Sequence, residues 1–251
     1  MEAKRFYFFS DVHLGLNSKE IEKQKEARLV KFLDLISKDA EKVFILGDLF
    51  DCWIEYRKVV PKGYYRLLAK LNEMGESGIE IVFLSGNHDF WLNTYLRDDV
   101  GLKIHNEPIS LQIDDKKFYL THGDGLSKND LGYRIIKKIL RNKFNQFLYS
   151  LIHPDIGISI AQRSSRKSRD YTSEKEFGSA DGLKEFARRK ISEGYDYVIM
   201  GHVHKPQLER ITDSQNKREG YFATLGDWIN HFSYGEYADG KFIIKSMKEN
   251  F

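Results

Sequence analysis

Five short polar motifs, each directly behind an apolar run, restrict this chain more than any other feature. They are Asp11-Val12-His13, Gly47-Asp48-Leu49-Phe50-Asp51, Gly86-Asn87-His88-Asp89, His122-Gly123-Asp124 and Gly201-His202-Val203-His204. The runs before them, 6–9, 43–46, 81–84, 118–120 and 198–200, are rich in Phe, Val, Ile and Leu and read as strands. Segments of helical periodicity, expected at 21–40 and 63–76, separate the first three runs. The core therefore reads as βαβ units around a mainly parallel sheet. Such a sheet sets every motif at the carboxyl end of a strand, where α/β folds bind ligands.

The motifs are built from metal-ligating side chains. Asp11 and His13 stand two residues apart, so an extended backbone points both to one side. His202 and His204 repeat that spacing. Asp48 offers a carboxylate able to bridge two ions, Asn87 a neutral amide oxygen, and His122 a ring nitrogen. One partition sets Asp11, His13, Asp48 and His204 on one cation and Asp48, Asn87, His122 and His202 on the other. Two divalent cations roughly 3.5–4 Å apart bind phosphoryl oxygens and lower the pKa of a bridging water, the chemistry of phosphate ester and anhydride hydrolysis. Mixed His, Asp and Asn ligation suits Mn, Fe, Zn or Co better than Ca or Mg.

His88 is not needed as a ligand. It is the candidate to donate a hydrogen bond to the phosphoryl group or to protonate the leaving oxygen. Asp51, three residues beyond Asp48, is the candidate to orient it. Glycines 47, 86, 123 and 201 are expected to permit tight turns. Taken singly, an Asp-x-His is ordinarily a surface coincidence, and Gly-Asn-His-Asp serves equally well as a loop turn. Five motifs in this order, each behind a strand, leave coincidence little room. His105, His153 and His231 have no partner motif and read as ordinary surface, interface or core residues. Cys52 reads as a packed small residue.

The remaining chain is less regular. A short helix is expected at 91–98. A hairpin is expected from 103–113 and 116–121, turning at Asp114-Asp115. Apolar residues at helical spacing predict one helix over 135–152, ended by Pro154. A very polar stretch, 163–176, and a helix at 180–193 follow. Strands at 207–211, 220–225 and 241–247 are expected to complete a second sheet. The 135–152 helix has an apolar face, which can line a groove, touch a membrane or pack on the core. Its basic face, with Arg134, Lys137, Lys138 and Arg141, suits lipid head groups. Arg166, Lys167, Arg169 and Lys175 are candidates to neutralise a diphosphate.

Composition sets the outer bounds. The chain has 251 residues, 41% of them hydrophobic, with mean hydropathy −0.52. That describes a soluble protein of one large domain, or one domain with an insertion. A net charge of +3 is too small to imply nucleic acid. It is unevenly placed: residues 131–190 hold 14 Lys+Arg and 6 Asp+Glu, a local +8, so the rest of the chain carries −5. A basic segment beside an acidic metal-binding body suits an anionic substrate or surface. The single cysteine excludes an intrachain disulfide and fits a reducing compartment. No signal peptide precedes the first strand, and no apolar run approaches the roughly 20 residues that span a bilayer. A cytoplasmic location is expected.

In their order and residues, the five motifs resemble those of the calcineurin-like metallophosphoesterases, over residues 11–204. The resemblance implies a four-layer α/β/β/α sandwich with a dinuclear metal centre at its edge. Residues 1–125 and 191–251 would form that core, and 126–190 a helical cap insertion. Three further stretches are similar to the UDP-2,3-diacylglucosamine hydrolases of lipid A biosynthesis. They are Gly47 to Ile54, His122 to Leu126 followed by Asn129 to Tyr133, and Ile160-Ala161-x-Arg163 with Ser168, Thr172 and Lys175. That resemblance implies a cap over two Mn²⁺ ions, acyl chains beneath it, and peripheral contact with the cytoplasmic face of the inner membrane. It implies products UMP and 2,3-diacylglucosamine 1-phosphate, and substrate contacts at Asn87, His88, Asp130, Ser168, Thr172, Lys175 and His202.

One position departs from that pattern. Enterobacterial-type members have Gly-Asn-Arg-Asp where this chain has Gly86-Asn87-His88-Asp89. An imidazole exchanges protons, and a guanidinium effectively cannot. A broader phosphoesterase acting on another nucleotide diphosphate or a phosphodiester is therefore the alternative. A non-catalytic scaffold that keeps the fold is a third class; it ordinarily requires lost ligands, and all seven are present.

Overall fold

Alternation along the first strand sets up the layers. Strand β1 (Arg5–Phe9) is apolar on both faces. Phe6 and Phe8 point one way into a core between two sheets, and Tyr7 and Phe9 point the other way onto helices. The computed structural model describes residues 4–126, 131–173, 176–213 and 217–248, with side chains described for these except at 131–134, 166–173 and 176–181.

Helix α1 (Lys19–Ile36) buries Leu29, Phe32, Leu33 and Ile36, an i, i+3, i+4, i+7 stripe. Helix α2 (Tyr65–Glu76) buries Leu67, Leu71 and Met74 beside it. Both cover the outer face of β1, β2 (Ala40–Leu46) and β3 (Glu80–Leu84), which pair in parallel. A short helix α3 (Tyr95–Asp98) precedes β4 (Lys103–His105) at the sheet edge. The chain then crosses to the second sheet through β5 (Ile109–Ile113) and β6 (Lys116–Thr121).

Four helices follow: α4 (Leu131–Arg141), α5 (Lys143–Ser150), α6 (Pro154–Ser173) and α7 (Glu176–Ser192). Then come β7 (Tyr197–Met200), β8 (Pro206–Thr212), β9 (Glu219–Leu225), β10 (Ser233–Ala238) and β11 (Lys241–Ser246). The first sheet has the order β11-β10-β1-β2-β3-β4 and the second β5-β6-β7-β9-β8. Leu183, Ala187 and Ile191 of α7 pack on Val198, Met200 and Phe222 of the second sheet. The layers are thus helices, sheet, sheet, helix, the sandwich that the motifs implied.

Several boundaries differ from expectation, each for a local reason. The 103–113 strand is interrupted, because Pro108 lacks the N–H a ladder needs; its first part edges one sheet and its second part edges the other. The single helix expected at 135–152 breaks at Asn142, whose side chain accepts from the N–H groups of Phe144 and Asn145 and so caps a new helix. Pro154 begins α6 rather than only ending its predecessor, since a first helical residue has no N–H bond to lose. The polar stretch at 163–176 is largely helical. Strand β11 joins the first sheet, not the second, through β10, which the hydrophobic pattern did not reveal.

Aromatic rings fill the space between the sheets. Phe118 stacks on Tyr197 at 4.7 Å and meets Tyr237 edge-on at 5.0 Å, and it is fully buried. We predict that Phe118→Ala lowers unfolding free energy by roughly 3–5 kcal/mol in urea titrations, the usual cost of emptying a large aromatic site. An unchanged midpoint would refute this account of the inter-sheet core.

Candidate metal centre

Each motif lies where a strand stops. β1 delivers Asp11, β2 Asp48, β3 Asn87, β6 His122 and β7 His202 to one edge of the sandwich, although the strands belong to two sheets. Beyond the strands, the first two loops continue side by side. Asp11 N donates to Gly47 O at 3.1 Å, His13 N to Asp48 O at 2.9 Å and Leu14 N to Leu49 O at 3.0 Å. Asp11, His13, Asp48 and His202 all hold positive φ, between 48° and 66°. Non-glycine residues seldom adopt that region, and at functional sites surrounding contacts hold them there.

Two buried carboxylates organise the site. Asp48 Oδ1 accepts from His88 N at 2.9 Å, and Asp11 Oδ2 accepts from His202 N at 2.9 Å. Each carboxylate therefore has one oxygen engaged by another loop and one facing inward. Asp48 Oδ2 lies 3.3 Å from His122 Nε2, 3.7 Å from His13 Nε2 and 4.0 Å from His88 Nε2. Asp11 Oδ1 lies 3.8 Å from His13 Nε2 and 3.6 Å from His204 Nε2. His122 Nε2 is also 2.9 Å from Asn87 Oδ1. His202 joins through its ring, 5.3 Å from that of His122.

The donor set fits two cations. Asp11 Oδ1 and both ring nitrogens of His13 are buried without a hydrogen-bond partner, an arrangement that is costly unless a ligand satisfies them. Asp11, His13 and His204 converge on one point, and Asp11, Asp48 and His122 on a neighbouring one. Asp11 is common to both groups, and Asp48 Oδ2 lies 3.7 Å from His13 Nε2 of the first and 3.3 Å from His122 Nε2 of the second. His122 Nδ1 is 2.8 Å from the carbonyl oxygen of Leu46, which can only accept, so Nδ1 keeps its proton and Nε2, facing Asn87 Oδ1 and Asp48 Oδ2, is the nitrogen that could ligate once a cation displaces its proton.

Two glycines make room for the carboxylates rather than forming turns alone. A Cβ on Gly86 would collide with the Asp48 carboxylate, and one on Gly201 would sit 2.8 Å from Asp11 Oδ2. Asp89 knits the second and third loops together by accepting from Asp48 N, Phe50 N and Gly86 N. Burial and the Asp48 charge raise its carboxyl to about 7.

Asp51 meets His88 through its main chain: its carbonyl oxygen is 3.1 Å from His88 Nδ1. Its carboxylate faces His13 Nδ1 at 3.6 Å. Ser165, from α6, stands 2.7 Å from His88 Nδ1. Two residues of the basic face of α4 reach the site loops. Lys137 pairs with Asp124 at 2.7 Å, and Arg141 donates to Gly86 O at 3.1 Å and to Asn106 O at 2.9 Å. Of the substrate contacts inferred by resemblance, Asp130 and Lys175 lie outside the described residues. Ser168 and Thr172 fall on α6, with their side chains outside the description.

One functional candidate escaped the motif reading. Asp227, fully buried after β9, places Oδ2 3.8 Å from His204 Nδ1, while Oδ1 accepts from the N–H groups of Ile229, Asn230 and His231. Its charge faces the His204 ring, which makes it a candidate to orient that histidine. The signal was present: Leu225-Gly226-Asp227 repeats Leu46-Gly47-Asp48.

Electrostatics link the ligands to pH. Burial alone would depress the His122 imidazole, but the carboxylates of Asp48, Asp11 and Asp124 together outweigh it and raise the ring to about 10. For His204, burial is likewise overcome by Asp11, Asp227 and Asp48 together, giving about 8. Both rings are therefore largely protonated at neutral pH without a cation, and a cation must displace those protons. We expect Mn²⁺ binding to release protons at pH 7 and to weaken as pH falls, measured by calorimetry in buffers of different ionisation enthalpy. Equal heats in all buffers would contradict it. Asp227→Asn should weaken binding of the cation held by His204 roughly 10- to 100-fold in the same titration.

A model of the calcineurin-like phosphoesterase family matches residues 4–206, which contain all five motifs. Among solved structures, a phosphoesterase from E. coli aligns over 98% of this chain and 95% of its own, with 16% identity and a TM-score of 0.48. The chain is 32% identical to the UDP-2,3-diacylglucosamine hydrolase of Porphyromonas gingivalis, over 98% of each protein. It is 30% identical to that of Hamiltonella defensa, over 90% of this chain and 89% of the relative. Identity to that of Haemophilus influenzae is 27%, over 92% and 93%. With these relatives along its length and the family's model spanning its motifs, the chain belongs to the calcineurin-like phosphoesterases and is a hydrolytic enzyme.

Proposed function

We propose that this enzyme hydrolyses the diphosphate of UDP-2,3-diacylglucosamine to UMP and 2,3-diacylglucosamine 1-phosphate, a step of lipid A biosynthesis. The observation that carries the reading is the double character of helix α4. Its polar side chains Lys137 and Arg141 bond to the loops of the metal centre. Its apolar side chains Ile135, Ile136, Ile139 and Leu140 are 48–60% exposed. Phe144, Phe147 and Leu151 after it, and Ile156 on α6, are 57–69% exposed. An apolar area of this kind marks a binding surface. A substrate with phosphates at one end and acyl chains at the other matches both sides of the helix, and the curated relatives carry that substrate in their names.

In this reading, residues 126–190 form the cap on a core of 1–125 and 191–251, with the Leu183–Ile191 part of α7 also serving as the outer layer of the second sheet. Asp11, His13, Asp48 and His204 hold one cation, and Asp48, Asn87, His122 and His202 the other. Manganese is our first choice, ahead of Fe, Zn and Co. When bound, the two cations polarise the phosphoryl oxygens and lower the pKa of water between them. Water oxygen adds to the α-phosphorus, and the bond to the bridging oxygen breaks, leaving that oxygen on the sugar phosphate. With its ring protonated on both nitrogens, His88 donates from Nε2 to the phosphoryl group or to the departing oxygen, and the ring left behind keeps its proton on Nδ1. Asn87, His88 and His202, with Asp130, Ser168, Thr172 and Lys175 of the cap, contact the substrate.

The same apolar surface would rest on the cytoplasmic face of the inner membrane by peripheral contact. Among the described residues, no helix is long and apolar enough to cross a membrane.

His88 favours one second reading, a broader phosphoesterase acting on other nucleotide diphosphates or phosphodiesters. The two separate in an assay of purified protein with Mn²⁺. We expect UMP release from UDP-2,3-diacylglucosamine, abolished by chelation and by Asp48→Ala. Cleavage of bis(p-nitrophenyl) phosphate without UMP release would replace the first reading by the second.

A further inference from the structure

Ser165 belongs to the cap helix α6, yet its hydroxyl reaches the metal-site loops. Ile158, Ala161 and Ser165 follow the i, i+3, i+7 spacing of one helix face. Ile158 and Ala161 pack against the buried cluster Ile54, Tyr56 and Trp91 beside the second and third motifs. Tyr149 of α5 donates to Gly157 O at 2.8 Å, holding the start of α6 in place. The next position on that face is Ser165, and its Oγ lies 2.7 Å from His88 Nδ1. The hydroxyl donates to Asp51 O at 2.9 Å, with Asp51 Oδ2 at 3.3 Å.

Hydrogen-bond counting around His88 Nδ1 leaves one consistent arrangement. Asp51 O, 3.1 Å from Nδ1, can only accept. If Nδ1 lacked a proton, its lone pair would oppose that of the carbonyl, and the serine hydroxyl could not satisfy both. With the proton on Nδ1, the ring donates to Ser165 Oγ and Asp51 O, and the hydroxyl donates onward to Asp51. The neutral ring then keeps its lone pair on Nε2, the nitrogen that faces Asp48 Oδ2 at 4.0 Å.

We infer that Ser165 is a positioning residue, which holds His88 with its proton on Nδ1 so that Nε2 is the atom exchanging protons with the phosphoryl centre. Because Ser165 lies on α6, the contact comes from a helix that packs on Ile54, Tyr56 and Trp91 beside the second and third motifs. The inference rests on the role given to His88 in the proposed function, but not on the identity of the nucleotide substrate.

The test has two arms. In ¹⁵N-histidine spectra of the Zn²⁺-loaded full chain, with His88 assigned through H88Q, the neutral ring of the wild type should be the Nδ1–H tautomer. Ser165→Ala should give a mixture, and Ser165→Thr should restore the wild-type pattern. An Nε2–H ring in the wild type, or no change in Ser165→Ala, would overturn the inference. In kinetics, Ser165→Ala should lower kcat about tenfold or more with little change in KM, and Ser165→Thr should recover most of it. In a His88→Ala background, Ser165→Ala should cost nothing further. Additive losses, or a raised KM at unchanged kcat, would instead make Ser165 a direct substrate contact. Running the cycle on both UDP-2,3-diacylglucosamine and bis(p-nitrophenyl) phosphate separates this inference from the substrate reading. Loss of the first activity alone overturns the substrate, while the second still reports on Ser165. The spectra decide the tautomer without any turnover.

Discussion

Asp48 is the residue on which the centre depends. One of its oxygens is bonded to the backbone of the third motif, and the other faces His122, His13 and His88 within 4.0 Å. Its own amide is tied to Asp89, and its carbonyl receives the amide of His13. A fully buried carboxylate is expensive unless it is paired and hydrogen-bonded. That cost is met here by drawing four loops together, so the candidate metal ligand also fixes the geometry around it. Asp11 repeats the arrangement at the other end of the site, with His202 N on one oxygen and His204 opposite the second. The left-handed backbone at Asp11, His13, Asp48 and His202 follows from these ties, because the ligands must turn sharply back over the strand ends.

The helices between the fourth and fifth motifs meet this framework through polar contacts and through apolar packing of Ile158 and Ala161 on Ile54, Tyr56 and Trp91. Lys137, Arg141 and Ser165 each bond to a metal-site loop, while the apolar side chains of α4 and α5 remain exposed. That division reverses the usual sense of an amphipathic helix on a soluble core, where the apolar face is the one buried.

Much of this was legible in the sequence. The five motifs reported the strand ends, and their residue types reported the chemistry, because oxygen and imidazole donors at consecutive strand ends have few uses besides metal binding. Periodicity located the first helices and strands to within a few residues, since each has a single buried face. It failed where the partner decided the element. Ser233–Ala238 carries a glycine and polar residues and does not read as a strand. It is buried nonetheless between β1 and β11, where the absent side chain of Gly235 leaves space for the Phe242 ring. The break at Asn142 was similarly hidden inside an apolar pattern that runs through it.

By itself, the sequence determined the candidate ligands, the order of most strands and helices in the chain, and the class of reaction, because these depend on residue type and spacing. Only the tertiary structure decided which oxygen of each carboxylate faces the histidines, that Asp227 faces His204, and that Asp51 meets His88 by its carbonyl while Ser165 completes the contact. Those are relations between residues from 23 to 191 positions apart. They arise when two sheets pack face to face and bring their strand ends to one edge, and no local pattern records that packing.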